Sequence, residues 1–265
     1  FQLLEVLGLK ALELPSSAEH GLSPEALELA LQHWDIRTLV VSPCYGTPTG
    51  ACMPEHHKRR ILELTQHRDI TIIEDDIYGD LCFGLQRPRS LHSYDQSGSV
   101  LLCSSFSKSL SRDLRIGWIA PGKYRERIKQ LKLVTTLASS RSQQQGLCYF
   151  LEEGGYDRHL RFRRQQLQQQ YQQLLELIPE LLPMAVSSSQ PRGGLSLWLE
   201  FPDSVDTLKL YKRALEAGVI LTPGRLFTAQ ERYRNALRLS FAHPWTEPRR
   251  EALQKLGTLI DSVAR

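Results

Sequence analysis

The residues best suited to chemistry lie in one run, Ser104-Ser105-Phe106-Ser107-Lys108-Ser109-Leu110-Ser111-Arg112-Asp113-Leu114-Arg115-Ile116-Gly117-Trp118. An apolar stretch, Val100-Leu101-Leu102, leads into a hydroxyl-rich turn that carries one lysine, and Arg115 follows seven residues after it. Hydroxyls and a guanidinium suit a phosphate, because they offer donors and a fixed positive fork. A lysine held among them can form a Schiff base with an aldehyde that bears that phosphate. Taken alone, such a turn is most often a polar link between two strands. Its weight comes from the company it keeps.

Glu74-Asp75-Asp76-Ile77-Tyr78 follows a second apolar stretch. An aspartate at a strand end is commonly a cap or a turn former. The alternative is a carboxylate facing a pyridine nitrogen, which keeps that nitrogen protonated and makes the ring an electron sink. Tyr78 then stands where it can hydrogen-bond a phenolic oxygen of the same ring. Asp76 is expected to face solvent or to cap the next turn. Pro43-Cys44-Tyr45-Gly46-Thr47-Pro48-Thr49-Gly50 is a turn-rich strand exit, equally readable as a tight turn alone. Arg238 sits inside the apolar run Ala236-Leu237-Arg238-Leu239-Ser240-Phe241. A buried cation without a partner is costly, so it takes a carboxylate from the protein or from a ligand. Read by itself, the protein pair is favoured.

The elements that must position these residues alternate. Thr38–Ser42 reads as a short β-branched strand ending at Pro43, and Ile70–Glu74, Val100–Cys103 and Ile116–Ala120 read as strands buried on both faces; a helix starting at Pro54 continues through Ile61, Leu62 and Leu64. Strands interleaved with helices imply an α/β fold with a mostly parallel sheet, whose ligands sit beyond the carboxyl ends of the strands. That rule brings Pro43–Gly50, Asp75–Tyr78 and Ser105–Lys108 to one rim. A long helix is expected from Tyr156 to Ile178, stopped by Pro179, with Leu160, Leu167, Tyr171, Leu174 and Ile178 on one face. Strands at Leu195–Leu199, Val219–Thr222 and Ala236–Ser240, with helices over Thr207–Ala217 and from Thr246, complete a smaller α+β unit. The expected division is 1–155 and 156–265.

Bulk properties exclude other classes. The 265 residues are 41% hydrophobic and 23% charged, an ordinary globular composition. No apolar stretch approaches a membrane span and no signal peptide opens the chain, so the expectation is a cytoplasmic protein with no membrane partner. A net charge of +4 is weak support for nucleic-acid binding by these residues. The five cysteines form no CxxC pair and read as reduced thiols. No metal site is expected, and His56-His57 on a charged helix start reads as solvated. Phe1-Gln2-Leu3-Leu4 resembles the middle of an element, which suggests a fragment with sequence missing upstream.

In this order the segments resemble the fold-type I pyridoxal-phosphate aminotransferases over essentially the whole chain. The resemblance is carried by Pro48-Thr49-Gly50, the EDDIYGDL run, SFSK followed by LRIGW, Gly193-Gly194-Leu195-Ser196-Leu197-Trp198, Thr222-Pro223-Gly224 and LRLSF. It implies pyridoxal 5'-phosphate as cofactor, with Lys108 as the Schiff-base lysine and proton shuttle. It implies Asp75 at the pyridine nitrogen, Tyr78 at the ring hydroxyl oxygen, Ser105, Ser107 and Arg115 as a phosphate cup, and Arg238 at the α-carboxylate of an amino acid. Thr47 stands where the family usually has an asparagine for the ring oxygen, and Arg112-Asp113 replaces a Pro-Gly pair. Both departures suit a sensor relieved of rapid turnover.

A narrower resemblance is to MocR-type regulators of the GntR family, in which an aminotransferase-like domain follows a winged helix-turn-helix. Gly155-Tyr156-Asp157-Arg158-His159-Leu160-Arg161-Phe162-Arg163-Arg164 carries it, although its basic residues also read as a solvated helix face. Pro121-Gly122-Lys123-Tyr124 and Pro244-Trp245-Thr246 agree with it. It implies an effector domain that binds an amino acid or amine, dimerises with a second copy, and meets DNA only through an upstream domain. The alternative is a free-standing amino-acid aminotransferase.

Overall fold

Alternating burial along Thr71–Asp75 and the wholly apolar start of Val100–Ser105 make these two segments the centre of the larger sheet. In the computed structural model, which describes residues 2–182 and 186–263, they are the two central strands of a four-stranded sheet. A short α1 (Gln2–Val6) and a hairpin of β1 (Ser16–Ser17) and β2 (Gly21–Leu22) precede α2 (Pro24–His33), β3 (Thr38–Val41) and a hairpin of β4 (Cys44–Gly46) and β5 (Ala51–Cys52). Then come α3 (Glu55–Gln66), β6 (Thr71–Asp75), β7 (Val100–Ser105), β8 (Gly117–Ala120), α4 (Arg125–Thr135), α5 (Arg141–Glu152) and α6 (Gly155–Leu181). The chain closes with β9 (Ser187–Ser188), β10 (Ser196–Glu200), α7 (Thr207–Glu216), β11 (Thr222–Pro223), β12 (Ala236–Ser240) and α8 (Glu247–Val263).

The first sheet has the order β3-β6-β7-β8, with β3, β6 and β7 parallel and β8 antiparallel. Its core joins Leu39, Val41, Ile72 and Val100 to Leu27 and Leu31 of α2 and Ile61 of α3. Helix α2 starts where Ser23 accepts a hydrogen bond from the Ala26 N–H and Pro24 supplies a preset φ. The second sheet, β11-β12-β10-β9, is antiparallel throughout. It packs Leu197, Leu199, Leu237 and Phe241 against Leu167, Tyr171 and Leu174 of α6 and Leu253 and Leu256 of α8. Asp206 caps α7 by accepting from the Leu208 and Lys209 N–H groups.

Three sequence expectations change. The run around Ile116–Ala120 is not buried on both faces: β8 is an antiparallel strand at the sheet edge, with Trp118 43% and Ile119 46% exposed. Pro179 does not stop α6, which continues to Leu181; Pro179 lies in the last turn, and its missing N–H costs the helix a single bond there. Val219–Thr222 is not a full strand, since only Thr222–Pro223 pairs, with Arg238 and Leu237 of β12.

Candidate functional site

The carboxyl ends of β6 and β7 build the centre of the site. Their parallel register sets Asp75 beside Cys103, and the Asp76 N–H continues the pairing to the Cys103 carbonyl at 2.9 Å. Ser104 Oγ donates to the Asp76 carbonyl at 3.1 Å, so the two strand exits are tied together. The loop after β7 is wound tightly: the Phe106 carbonyl accepts from the N–H groups of Leu110 and Ser111, and Ser105 Oγ accepts from the Ser107 N–H at 3.2 Å. This loop presents Lys108 to solvent beside the half-buried Asp75. Burial pushes the Asp75 carboxyl above its ordinary range, while a backbone bond from Ile77 and the Lys108 charge pull it back. Lysine and carboxylate are therefore close enough to feel each other.

Tyr78, Arg238 and Thr47 join them. Burial raises the Tyr78 phenol, the Arg238 charge lowers it, and the Asp75 charge raises it. Arg238, half-buried on β12, donates from Nη1 to Thr47 Oγ1 at 3.3 Å and lies 5.3 Å from the centre of the Phe227 ring. Thr47 itself is exposed on the turn between β4 and β5, where the Thr47–Pro48 bond is cis. The carboxylate expected to pair with Arg238 inside the protein is absent among the described residues, which favours the ligand-facing alternative. Arg115 ends the turn Arg112–Leu114 in the left-handed conformation, with φ 49°. It is exposed, and its neighbour Ile116 accepts the Phe106 N–H, which fixes Arg115 near the base of the Lys108 loop.

Lys108 and Tyr78 thus lie near the half-buried Asp75, Arg238 near Tyr78, and Arg115 at the end of the turn that follows the Lys108 loop. Among the described residues, none of the three cations is in an ion pair with a carboxylate of the chain. That donor set fits a ligand with a phosphate, a basic ring nitrogen and a carboxylate-bearing partner.

Asp76 corrects an expectation. It is 2% exposed rather than facing solvent, and it pairs with Arg87, which also bonds Asp80 Oδ1 at 2.7 Å. Burial raises the Asp76 carboxyl to about 6 despite that guanidinium. Gly79 makes room for the pair, because a Cβ there would collide with the Asp76 carboxylate and the Arg87 guanidinium. Glu74, fully buried, caps the short turn Leu91–Tyr94 by accepting from the Leu91 and His92 N–H groups at 2.8 and 2.7 Å.

The basic segment at the start of α6 is also not a merely solvated face. Tyr156 Oη donates to Asp80 Oδ2 at 2.8 Å and lies 2.8 Å from Ser109 Oγ, next to Lys108 in the chain. The His159 ring meets the Ser109 carbonyl at 2.8 Å, and Arg164 Nε donates to the Asp80 carbonyl at 2.7 Å. Arg163 donates to the Ala242 carbonyl beyond β12. Sequence reasoning quoted these residues as a fingerprint and missed their role as a brace for the lysine loop. The legible signal was Tyr156 and His159 three apart, hence on one helix face.

The fold and this site define a fold-type I, pyridoxal-phosphate-dependent transferase. The family model for aminotransferase class I and II matches residues 3–256, and the chain belongs to that family. Pyridoxal 5'-phosphate is the cofactor that goes with it. The chain is similar to the HTH-type transcriptional regulator YjiR of Escherichia coli, with 40% identity over 98% of this chain and 55% of the relative. It is 33% identical to the HTH-type transcriptional regulator YdfD of Bacillus subtilis over 97% of this chain and 53% of that protein. Among solved structures it is similar to LysN, the alpha-aminoadipate aminotransferase of Thermus thermophilus in complex with N-(5'-phosphopyridoxyl)-L-leucine. There the TM-score is 0.90 at 29% identity, covering 99% of this chain and 68% of that one. The chain thus spans about half the length of the curated regulators it matches.

Proposed function

We propose that this chain is the pyridoxal-phosphate-binding, aminotransferase-like effector domain of a MocR-type regulator of the GntR family. The observation that carries the reading is 40% identity to an HTH-type regulator along nearly the entire chain, and the loop of Lys108 tied to α6 through Ser109 supports it. Contact with DNA falls to the part of those regulators outside the matched half. A cytoplasmic location and a homodimer accompany the reading. No helix among the described residues is long and apolar enough to cross a membrane. The division into a larger unit, 1–155, and a smaller one, 156–265, is supported by the two separate sheets.

Each residue has a task. Bound pyridoxal phosphate supplies an aldehyde that condenses with amines and a ring that accepts electron density. The Lys108 amine would hold the cofactor at its aldehyde carbon, the position that an incoming amino acid's amine would compete for. Asp75 holds a proton at the ring nitrogen, an arrangement its half-buried position beside Lys108 supports. Tyr78 and Thr47 flank the ring oxygen. Ser105, Ser107 and Arg115 take the phosphate, and Arg238 takes the α-carboxylate of the amino-acid effector. An effector held at Lys108 and Arg238 would shift the population between two arrangements of the regulator, by as much as its affinity differs between them.

A second reading, a free-standing aminotransferase, is favoured by the 0.90 TM-score to LysN. Under it, Lys108 moves the proton from the amino-acid Cα. The readings separate in one experiment. The full-length gene product, loaded with pyridoxal phosphate, is titrated with its own promoter DNA in the presence of a panel of amino acids. Amino-acid-dependent DNA binding with slow turnover supports the regulator; rapid transamination with no DNA binding overturns it.

A further inference from the structure

The hairpin that carries Thr47 holds a pair of thiols that the proposed chemistry does not use. Cys44 of β4 lies directly opposite Cys52 of β5. The Met53 N–H donates to the Pro43 carbonyl at 2.8 Å, so the ladder bond flanks the cysteines and theirs is a non-hydrogen-bonded pair. In a regular pair of this kind the Cα atoms are about 4.5 Å apart, within the range of about 4.4–6.8 Å over which a disulfide closes, and the register shift of this hairpin falls after Cys44, between it and Gly46. Cys44 Sγ lies 3.8 Å from the Arg89 carbonyl, to which its thiol donates. Lys58, 1% exposed, puts Nζ 3.5 Å from Cys44 Sγ and anchors it on the Arg89 carbonyl at 2.6 Å.

The two sulfurs are not equivalent. Cys52 is half-buried and Cys44 is fully buried. The neighbouring Cys44 thiol lowers the Cys52 thiol to about 7 against the cost of burial, with help from the Lys58 charge and the Tyr45 N–H. The Cys52 neighbour and burial push Cys44 up, while the Lys58 charge opposes them. An accessible thiolate beside a protected thiol is the arrangement of an attacking and a resolving cysteine.

We propose that Cys44 and Cys52 are a reversible oxidation site, joined as a disulfide by hydrogen peroxide and reopened by thiols. The Cys52 thiolate attacks one peroxide oxygen; the O–O bond breaks and hydroxide leaves, giving a sulfenic acid. The Cys44 sulfur then attacks the Cys52 sulfur; the S–S bond forms, the S–O bond breaks, and water leaves. Overall, two thiols lose two electrons and two protons, and one peroxide becomes two waters. The bond closes the hairpin whose turn presents Thr47 to Arg238, so the redox state is set at the rim of the lysine site.

Both cysteines fall in one tryptic peptide, residues 38–58, which makes the test direct. The chain is treated with equimolar hydrogen peroxide, alkylated with N-ethylmaleimide after unfolding, digested without reductant and analysed by mass spectrometry. The expected peptide is two hydrogens lighter than the reduced form, carries no maleimide, and regains two maleimides after dithiothreitol. In C44S, Cys52 has no resolving partner and its peptide gains oxygen; in C52S, Cys44 remains alkylatable under the same dose. A wild-type peptide that keeps two maleimides while Cys148 oxidises, or that gains oxygen without losing hydrogens, overturns the proposal.

Discussion

Arg238 of β12 reaches across to the β4–β5 turn and donates to Thr47 Oγ1 at 3.3 Å, so a strand of the second sheet and a turn beside the first meet at one guanidinium. Its charge also bears on the Tyr78 phenol. If that guanidinium receives an effector's carboxylate, Arg238→Ala removes a charge-assisted contact of roughly 1.5–3 kcal/mol. The holoprotein should then bind amino acids about tenfold to a hundredfold more weakly. Absorbance titration checks this, with an amine lacking a carboxylate as the control whose affinity stays the same. Equal losses for both ligands would contradict the assignment.

Glu74 satisfies two backbone N–H groups in the interior, those of Leu91 and His92. Glu74→Ala strands both donors, and each unsatisfied buried group costs about 1–3 kcal/mol. Urea unfolding should show a loss of about 2–6 kcal/mol, with Glu74→Gln intermediate because its single carbonyl oxygen still accepts. A loss below about 1 kcal/mol in the alanine variant would show that water replaces the carboxylate.

The Asp76 carboxyl titrates near 4 in an unfolded chain and at about 6 in the fold. Between those values the folded form binds the extra proton, so Asp76 lowers stability as pH rises through that window, and the deficit persists above it. Asp76→Asn does not titrate. The stability of the variant relative to wild type should therefore climb from about pH 4 to 6 and level off above, as read from unfolding midpoints. A difference that is flat across this range would show that the Arg87 pair, rather than burial, governs the group.

The Lys108 loop depends on α6 through Tyr156 and Ser109. Tyr156→Phe removes hydrogen bonds of about 0.5–1.5 kcal/mol each and should weaken cofactor binding several-fold, with far-ultraviolet circular dichroism unchanged. Unaltered affinity would place the brace outside the binding energetics.

Much of this was readable in the chain because it is local. The apolar runs before Asp75 and Ser105 mark parallel strands, and their carboxyl ends gather the polar residues by topology alone. What was missed is non-local. Nothing near Asp76 in sequence announces Arg87 as its partner, and nothing near Lys58 announces the Arg89 carbonyl that lets a lysine be buried. The run ending at Ala120 has a core-like composition, yet its exposure depends on being an edge strand, which composition does not encode. The α6 arginines looked like a surface because their acceptors, the Asp80 and Ala242 carbonyls, lie about eighty positions away in each direction.

Everything assigned to the site rests on the Lys108 amine holding the cofactor's aldehyde. The direct measurement is the visible absorbance of the chain mixed with pyridoxal phosphate, before and after borohydride reduction, followed by peptide mapping. The account expects a visible band in wild type, a reduced phosphopyridoxyl adduct on Lys108, and loss of both in Lys108→Ala. An adduct on another lysine, or an undiminished band in Lys108→Ala, would contradict it.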